Sequence, residues 1–239
     1  MALLRAVATR TEPPSLNELA NACGLNSSTA WRLLATLEKH AMVERNRRTN
    51  RYTISYGAMQ VGAVADHSSL VRRVRPALRE LLEATGERVS LAVVKGVNLV
   101  YVDQLDPPDG PEERWVGRPL ALHASSSGKI LLALLPPEER AGALPTELTR
   151  YTPTTITDPD SLERELQTAR ERGYATCVGE DVPYSNGVSA AALDSQGRPV
   201  AVVNVWGIEQ RVPVTRFPSL GEATRATAKM IGALLHASG

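Results

Sequence analysis

Residues 15–54 run SLNELANACGLNSSTAWRLLATLEKHAMVERNRRTNRYTI. Ser15 and Glu18 fit a capping box, in which each side chain satisfies an amide that a helix start leaves unpaired. Leu16, Leu19, Ala20 and Cys23 then recur at i, i+3, i+4 and i+7, one apolar stripe on a short helix. Gly24 ends that helix by accepting a left-handed backbone. Asn26 or Ser27 caps a second helix whose core face is Ala30, Leu33, Leu34 and Leu37. Two short helices joined by a turn with one glycine form the helix-turn-helix layout.

The face opposite that second stripe is Ser28, Arg32, Ala35 and Lys39, with Thr29 and Trp31 on its flanks. Small polar residues and one arginine near a helix start suit a major groove. The hydroxyls and amides of Ser27, Ser28 and Thr29 can hold phosphate, and Arg32 can reach a guanine edge. Two alternatives stay open: Trp31 as packing against a neighbouring element, and Arg32 as a solvated charge. Next come Met42–Arg45, a polar turn over residues 46–50, and Arg51–Ile54, a short hairpin with an arginine-rich tip. Beside a helix-turn-helix this hairpin is a wing. Arg47 and Arg48 at its tip face phosphate or the minor groove, with Arg45 and Arg51 on its strands completing the DNA-binding set.

Working outward, the 239 residues suffice for one large domain or two small ones. Apolar residues make up 43% and charged residues 22%, a globular balance. No apolar run is long enough to span a bilayer and no signal-peptide pattern opens the chain, which predicts a soluble, cytoplasmic protein without a membrane partner. Two cysteines cannot staple a secreted scaffold, and four scattered histidines lack metal-ligand spacing, so neither a metal nor another cofactor is expected. The net charge of +1 hides an asymmetry: residues 1–56 carry eight Lys/Arg against four Asp/Glu, the remainder 19 against 22. A basic first segment fits a nucleic-acid partner.

From Tyr56 to Thr85 the apolar spacing is helical, with His67-Ser68-Ser69 as a break between a linker helix and a domain-opening helix, and Pro76 as a kink. Val89–Val94 and Leu99–Val102 form a hairpin. Ser125–Leu135 is a helix stopped by Pro136-Pro137, and Asp160 with Glu163 caps another that ends at Gly173. Strands follow at 174–178, 188–193 and 199–206. This order predicts an α+β sheet with helices mostly to one side, neither a Rossmann domain nor a solenoid.

The stretch Leu16–Ile54 resembles the DNA-binding half of the IclR family of bacterial transcriptional regulators. The resemblance continues through GERVSLAVVKGVNLVYVDQL, LHASSSGKILLALLP, RERGYA and PVAVVNVWG. It implies a winged helix-turn-helix over 1–56, a linker helix over 57–68 and a GAF-like α/β effector-binding domain over 69–239. It also implies more residues before the first helix than this chain has. The small positions lining the family's pocket correspond to Ser126 and Ser127, where helix-start amides and hydroxyls suit a carboxylate. Capping by Ser125 or Ser126 is the plainer reading. Other pocket positions are Leu120, Cys177 (where the family often has Asp), Gly187 (Cys or Ser-like), and Asn204 and Trp206 (serines). These departures predict a more apolar, flatter-walled pocket and an aromatic or hydrophobic acid effector. Trp206 supplies a stacking face and Asn204 a polar anchor; alternatively Trp206 simply fills the space.

The resemblance further implies a homodimer or a dimer of dimers on double-stranded DNA. Leu3, Leu4 and Val7 with Met59, Val61 and Val64 are the expected dimer contacts. No enzyme activity is expected. Ser126 and Lys129 match S-x-x-K and Tyr184-Ser185-Asn186 matches Y-x-N, an alternative reading as a serine acyl-enzyme hydrolase, but the third motif such enzymes carry is missing. A phosphate loop fails because His123 and Ile130 occupy its required Gly and Ser/Thr positions. A different-class alternative is a ligand sensor acting through protein partners.

Overall fold

The capping box at Ser15 forms as read: Glu18 Oε2 accepts from the Ser15 amide at 2.6 Å, and Ser15 Oγ accepts from the Glu18 amide. In the computed structural model, residues 2–10, 12–110, 113–118 and 120–236 are described, without the side chains at 56, 59–68 and 236. Contacts divide the chain into two units, Met1–Asp66 and His67–Gly239.

The first unit holds α1 (Ala2–Ala8), α2 (Leu16–Ala22), α3 (Ser27–Lys39) and the hairpin β1 (Val43–Arg45) and β2 (Tyr52–Ile54). Asn26 caps α3 by accepting from the Thr29 amide at 2.8 Å, and Gly24 takes φ +64° in the turn between α2 and α3. The core is Leu3, Val7, Leu19, Leu34, Val43 and Tyr52. Leu3 and Val7 are buried within the unit and Leu4 is partly buried against the same core, which leaves little of them for the expected dimer contacts; the side chains of Met59, Val61 and Val64 lie outside the described residues. Leu33 also departs from expectation. It is exposed, because Ala30, Leu34 and Leu37 already make a stripe wide enough to meet α1 and α2.

The residues 56–85 form one helix, α4 (Tyr56–Thr85), without the expected break at 67–69, whose first two side chains lie outside the described residues. Serine weakens a helix interior but leaves the backbone ladder intact. Pro76 lies within it. From Val74 onward α4 buries Val74, Ala77, Leu78 and Leu81.

The rest of the second unit is built on β3 (Arg88–Lys95), β4 (Asn98–Leu105), α5 (Ser126–Leu134), α6 (Pro137–Ala143), α7 (Pro159–Arg172), β5 (Ala175–Val178), β6 (Ser185–Leu193), β7 (Pro199–Ile208) and α8 (Phe217–His236). Its five strands pair antiparallel in the order β4-β3-β7-β6-β5. Alternation splits β7: Ala201, Val203 and Val205 point to one face, Val202 and Asn204 to the other, where α5 and α7 pack. α8 lies along β6 and β7, so helices cover both faces and do not gather on one. Asp158, followed by Pro159, caps α7; the expected Asp160 sits inside its first turn. Ser125 caps α5, which frees Ser126 and Ser127 to face inward.

Candidate functional site

The first unit presents a polar face. Along α3, Ser27, Ser28, Thr29, Trp31 and Arg32 are all exposed, Trp31 at 52%. Trp31 therefore packs into no core of its unit. Ser28 Oγ donates to Asn26 Oδ1 at 2.9 Å, and Ser27 Oγ to Asn17 Oδ1, so both hydroxyls hold the helix start in shape. In the hairpin turn Asn46 Oδ1 accepts from the amides of Arg48 and Thr49, and Asn50 takes the left-handed conformation at φ +56°. That turn lifts Arg47 and Arg48 into solvent.

The other two arginines have internal partners. Arg45 donates to Asn50 Oδ1 at 2.7 Å across the turn. Arg51 donates to the Pro13 carbonyl at 2.6 Å and meets Glu18 at 3.4 Å, while its backbone bridges Ser15. Arg51 thus ties the hairpin to the start of α2, and Arg32, Arg47 and Arg48 are left as the outward cations of the predicted set.

The second unit holds a partly open cavity of about 50 Å³, small beside the roughly 300–1,000 Å³ usual for small-molecule sites. Leu120, Ser126, Cys177, Gly187, Asn204 and Trp206 line it. Ser127 sits one layer behind: its Oγ meets Tyr101 OH at 3.1 Å and Ser189 Oγ at 3.0 Å. Ser189 Oγ also meets Ser126 Oγ at 2.9 Å. The Asn204 amide nitrogen donates to Ser126 Oγ at 3.1 Å and Ser189 Oγ at 2.8 Å. Register explains the cluster, because Ser189 stands opposite Asn204 and Gly187 opposite Trp206 in the β6–β7 pair. A Cβ on Gly187 would lie 2.9 Å from Ser126 Oγ, so only glycine leaves that hydroxyl its place.

Sequence reasoning missed four contributors. Trp115, on the segment between β4 and α5, forms an edge-to-face pair with Trp206 at 5.6 Å between centroids. Gln104 pegs that segment: its carbonyl accepts from the Trp115 amide at 2.9 Å and its amide donates to the Glu113 carbonyl at 3.1 Å. Ser189 is the third. The fourth, Asp181, returns a carboxylate to a cavity expected to have lost one at Cys177. A tryptophan in a chain with three was the only signal available for any of them.

Burial pushes the Asp181 carboxyl above the ordinary carboxylate range, and His123 draws it part of the way back. Such a group is neutral at low pH and charged once pH passes its raised value, so its own contribution to stability is lost as pH rises. The same charge repels an anion in the cavity. Affinity for a carboxylate ligand is expected to climb as pH falls from about 8 to about 5.5, and the Asp181→Asn protein to lose that slope; isothermal titration at both pH values checks it. Cys177 is pushed up to about 11, chiefly by burial, and donates Sγ–H to the Ala124 carbonyl, so it stays a thiol.

Lys129 points away from Ser126. Its ammonium donates to Glu180 Oε1 at 2.6 Å and to the Thr176 carbonyl at 3.3 Å, and Lys129 is 1% exposed. The described contacts therefore give Ser126 the partners Ser189 and Asn204, and give Lys129 a carboxylate. Tyr184 is 72% exposed. That is not the geometry of a serine activated by lysine. No described helix is long and apolar enough to cross a membrane.

Comparison with known proteins follows the same division. Residues 62–233 match the bacterial transcriptional regulator IclR C-terminal domain, and residues 1–47 the IclR helix-turn-helix domain. The HTH-type transcriptional repressors AllR of Klebsiella pneumoniae and of Escherichia coli K12 are each 34% identical over 228 residues, 92% of this chain and 82% and 83% of theirs. The crystal structure of the Thermotoga maritima IclR is similar with TM-score 0.70 and 27% identity, covering 98% of this chain and 95% of that one. An IclR homologue from Microbacterium hydrocarbonoxydans complexed with 4-hydroxybenzoate shares the fold with TM-score 0.70 at 24% identity, covering 99% of both chains.

Proposed function

Because the chain belongs to the IclR family of bacterial transcriptional regulators, we propose that it is a cytoplasmic, DNA-binding repressor whose second unit takes a small aromatic or hydrophobic acid and thereby alters operator binding. It acts as a homodimer or dimer of dimers, since paired recognition helices reading two half-sites gain affinity and register together. Supporting the DNA half, α3 and the hairpin tip leave Arg32, Arg47 and Arg48 pointing outward while Arg45 and Arg51 are bound internally.

The observation that carries the effector half is the cavity itself. It joins two tryptophans to a buried hydroxyl–amide cluster at the start of α5. The tryptophan pair offers an aromatic face, and the start of α5 favours negative charge. The acid acts on DNA binding only through a difference in its affinity for two arrangements of the protein. Fluorescence anisotropy of the full chain on the duplex upstream of its own coding sequence tests the reading. Specific binding is expected to exceed that to a scrambled duplex by about 10³-fold or more. An aromatic acid from a panel is expected to shift operator affinity by about 5-fold or more. Equal affinity for both duplexes, and no shift with any acid, contradicts the proposal.

A further inference from the structure

The five-stranded sheet has one edge that its outer strand does not finish. β5 begins at Ala175, opposite Ser189 of β6, and runs from there only toward Asn186. Residues 190–193 of β6 pair with β7 alone. The chain enters β5 from the end of α7 through Gly173, at a left-handed φ of +80°, so the residues before Ala175 are spent on helix and turn.

The alternation of an antiparallel ladder says which backbone groups are left over. Both groups of one residue turn to the same neighbouring strand, and those of the next residue turn to the other. The Asp194 amide donates to the Arg198 carbonyl at the β6–β7 turn. Asp194 and Ala192 therefore spend their groups on the β7 side, while Ala191 and Leu193 turn theirs toward the open edge. No described hydrogen bond outside the ladders reaches the backbone of either residue. An unpaired edge of this kind is a template for another strand. Gly232 of α8 stands beside it: a Cβ there would lie 2.8 Å from the Leu193 oxygen and 3.3 Å from its nitrogen, so a side chain at 232 would cover both.

The edge opens into a cleft of about 580 Å³ that shares no lining residue with the cavity at the start of α5. Its two walls differ. On the α5–α7 side, Ile130, Leu134 and Ala169 are apolar. On the α8 side, Arg225 and Lys229 bring positive charge, and Arg170 adds a cation from α7. Among the described residues no aspartate or glutamate lines the cleft. Pairing this edge with the same edge of a second copy would set these cations against themselves.

We infer that the open edge of β6 is a docking site for another protein, one segment of which adds to the sheet as an extended strand. Its backbone exchanges hydrogen bonds with Ala191 and Leu193, and its side chains supply the specificity. Side chains alternate across a strand, so its apolar residues face Ile130, Leu134 and Ala169 while the acidic residues between them face Arg225 and Lys229. The partner segment is acidic and strand-forming, with apolar and carboxylate side chains in alternation. Its binding is a function separate from the effector cavity.

Fluorescence polarisation of the full chain with a labelled octapeptide of alternating valine and glutamate tests it. The controls are the valine–lysine counterpart and the acidic peptide with N-methylated amides, which keeps the charge and removes the donors. The acidic peptide is expected to bind about 10-fold or more tighter than either control. Lys229→Glu is expected to weaken it about 10-fold, and Ala233→Trp, which fills the cleft, to abolish its binding. Both positions are exposed, and an unchanged melting temperature separates lost docking from lost folding. Equal binding of the N-methylated peptide reports charge attraction alone and overturns the inference. So does acidic-peptide binding that survives Ala233→Trp, or no binding at about 1 mM peptide. A natural protein that binds no peptide but changes oligomeric state on Ala233→Trp assigns the edge to a second copy, and overturns it as well.

Discussion

Replacing Lys129 with methionine is expected to destabilise the protein by about 3–5 kcal/mol. Lys129 and Glu180 are 1% and 7% exposed at the side chain, and their ion pair is 2.6 Å long. Glu180 Oε1 also accepts from the Val178 amide, and Glu165 and Arg172 extend the network outward. Methionine fills the volume of the lysine stem and removes the charge together with the hydrogen bonds to Glu180 and the Thr176 carbonyl. The carboxylate of Glu180 is then left buried without its counter-ion, a state far costlier than losing both charges. Burial already holds the Glu180 carboxyl above its ordinary range, and Lys129 is what pulls it back down. Without the lysine the folded-state value rises further. A carboxyl raised in the folded state loses its stabilising contribution as pH climbs through that value, so the defect is expected to deepen between about pH 5 and about pH 8. Urea unfolding across that range checks the prediction. Adding Glu180→Gln is expected to recover most of the loss and flatten the profile. A Lys129→Met protein as stable as the natural one at pH 8 contradicts it.

Gly128→Ala is the second large effect. A Cβ at 128 would lie 2.2 Å from the Leu122 carbonyl oxygen and 2.3 Å from its Cα. Both are backbone atoms in the turn that delivers Ser125 to its capping position, so no side chain can swing aside. The helix start must lift off the turn or the turn must unwind, and either movement drags Ser126 and Ser127 from the hydroxyl cluster. Overpacking of this kind costs about 3 kcal/mol, read as a melting temperature lower by roughly 10 °C. Alanine ordinarily strengthens a helix, so a Gly128→Ala protein with unchanged or higher melting temperature defeats the packing argument directly.

Those two positions also show what the sequence could carry. In SSSGK the capping serine was legible because a cap is a contact over three residues. The reason for Gly128 was not, because it depends on how the preceding turn folds back. The helix-turn-helix was readable for the same reason of locality: Ser15, Glu18, Gly24 and Asn26 each act within four residues of themselves. Leu33 misled because a stripe of four leucine-like residues does not say which edge the neighbours leave bare. Asp160 misled because Asp158 followed by proline makes the better cap. Trp115, Asp181 and Ser189 needed the strand register and the course of two loops, which link residues tens to over a hundred positions apart. Family resemblance located Ser126, Gly187, Asn204 and Trp206, but a position-by-position reading put the loss of a carboxylate at Cys177 and could not see another arriving at Asp181.

The placement of α3 and its hairpin in DNA is the claim on which a regulator stands. Its most direct test is the ionic-strength dependence of duplex affinity for the natural protein and for a protein carrying Arg32→Ala, Arg47→Ala and Arg48→Ala together. Each phosphate-bound cation adds close to one unit to the slope of log affinity against log salt. The triple variant is expected to bind roughly a hundredfold or more weakly, with a slope shallower by about two for each bound protomer, about four for a dimer. Arg45 and Arg51, engaged with Asn50, Pro13 and Glu18, keep the hairpin in place, so the loss reads binding and not folding. A triple variant with the natural affinity and the natural slope contradicts the account.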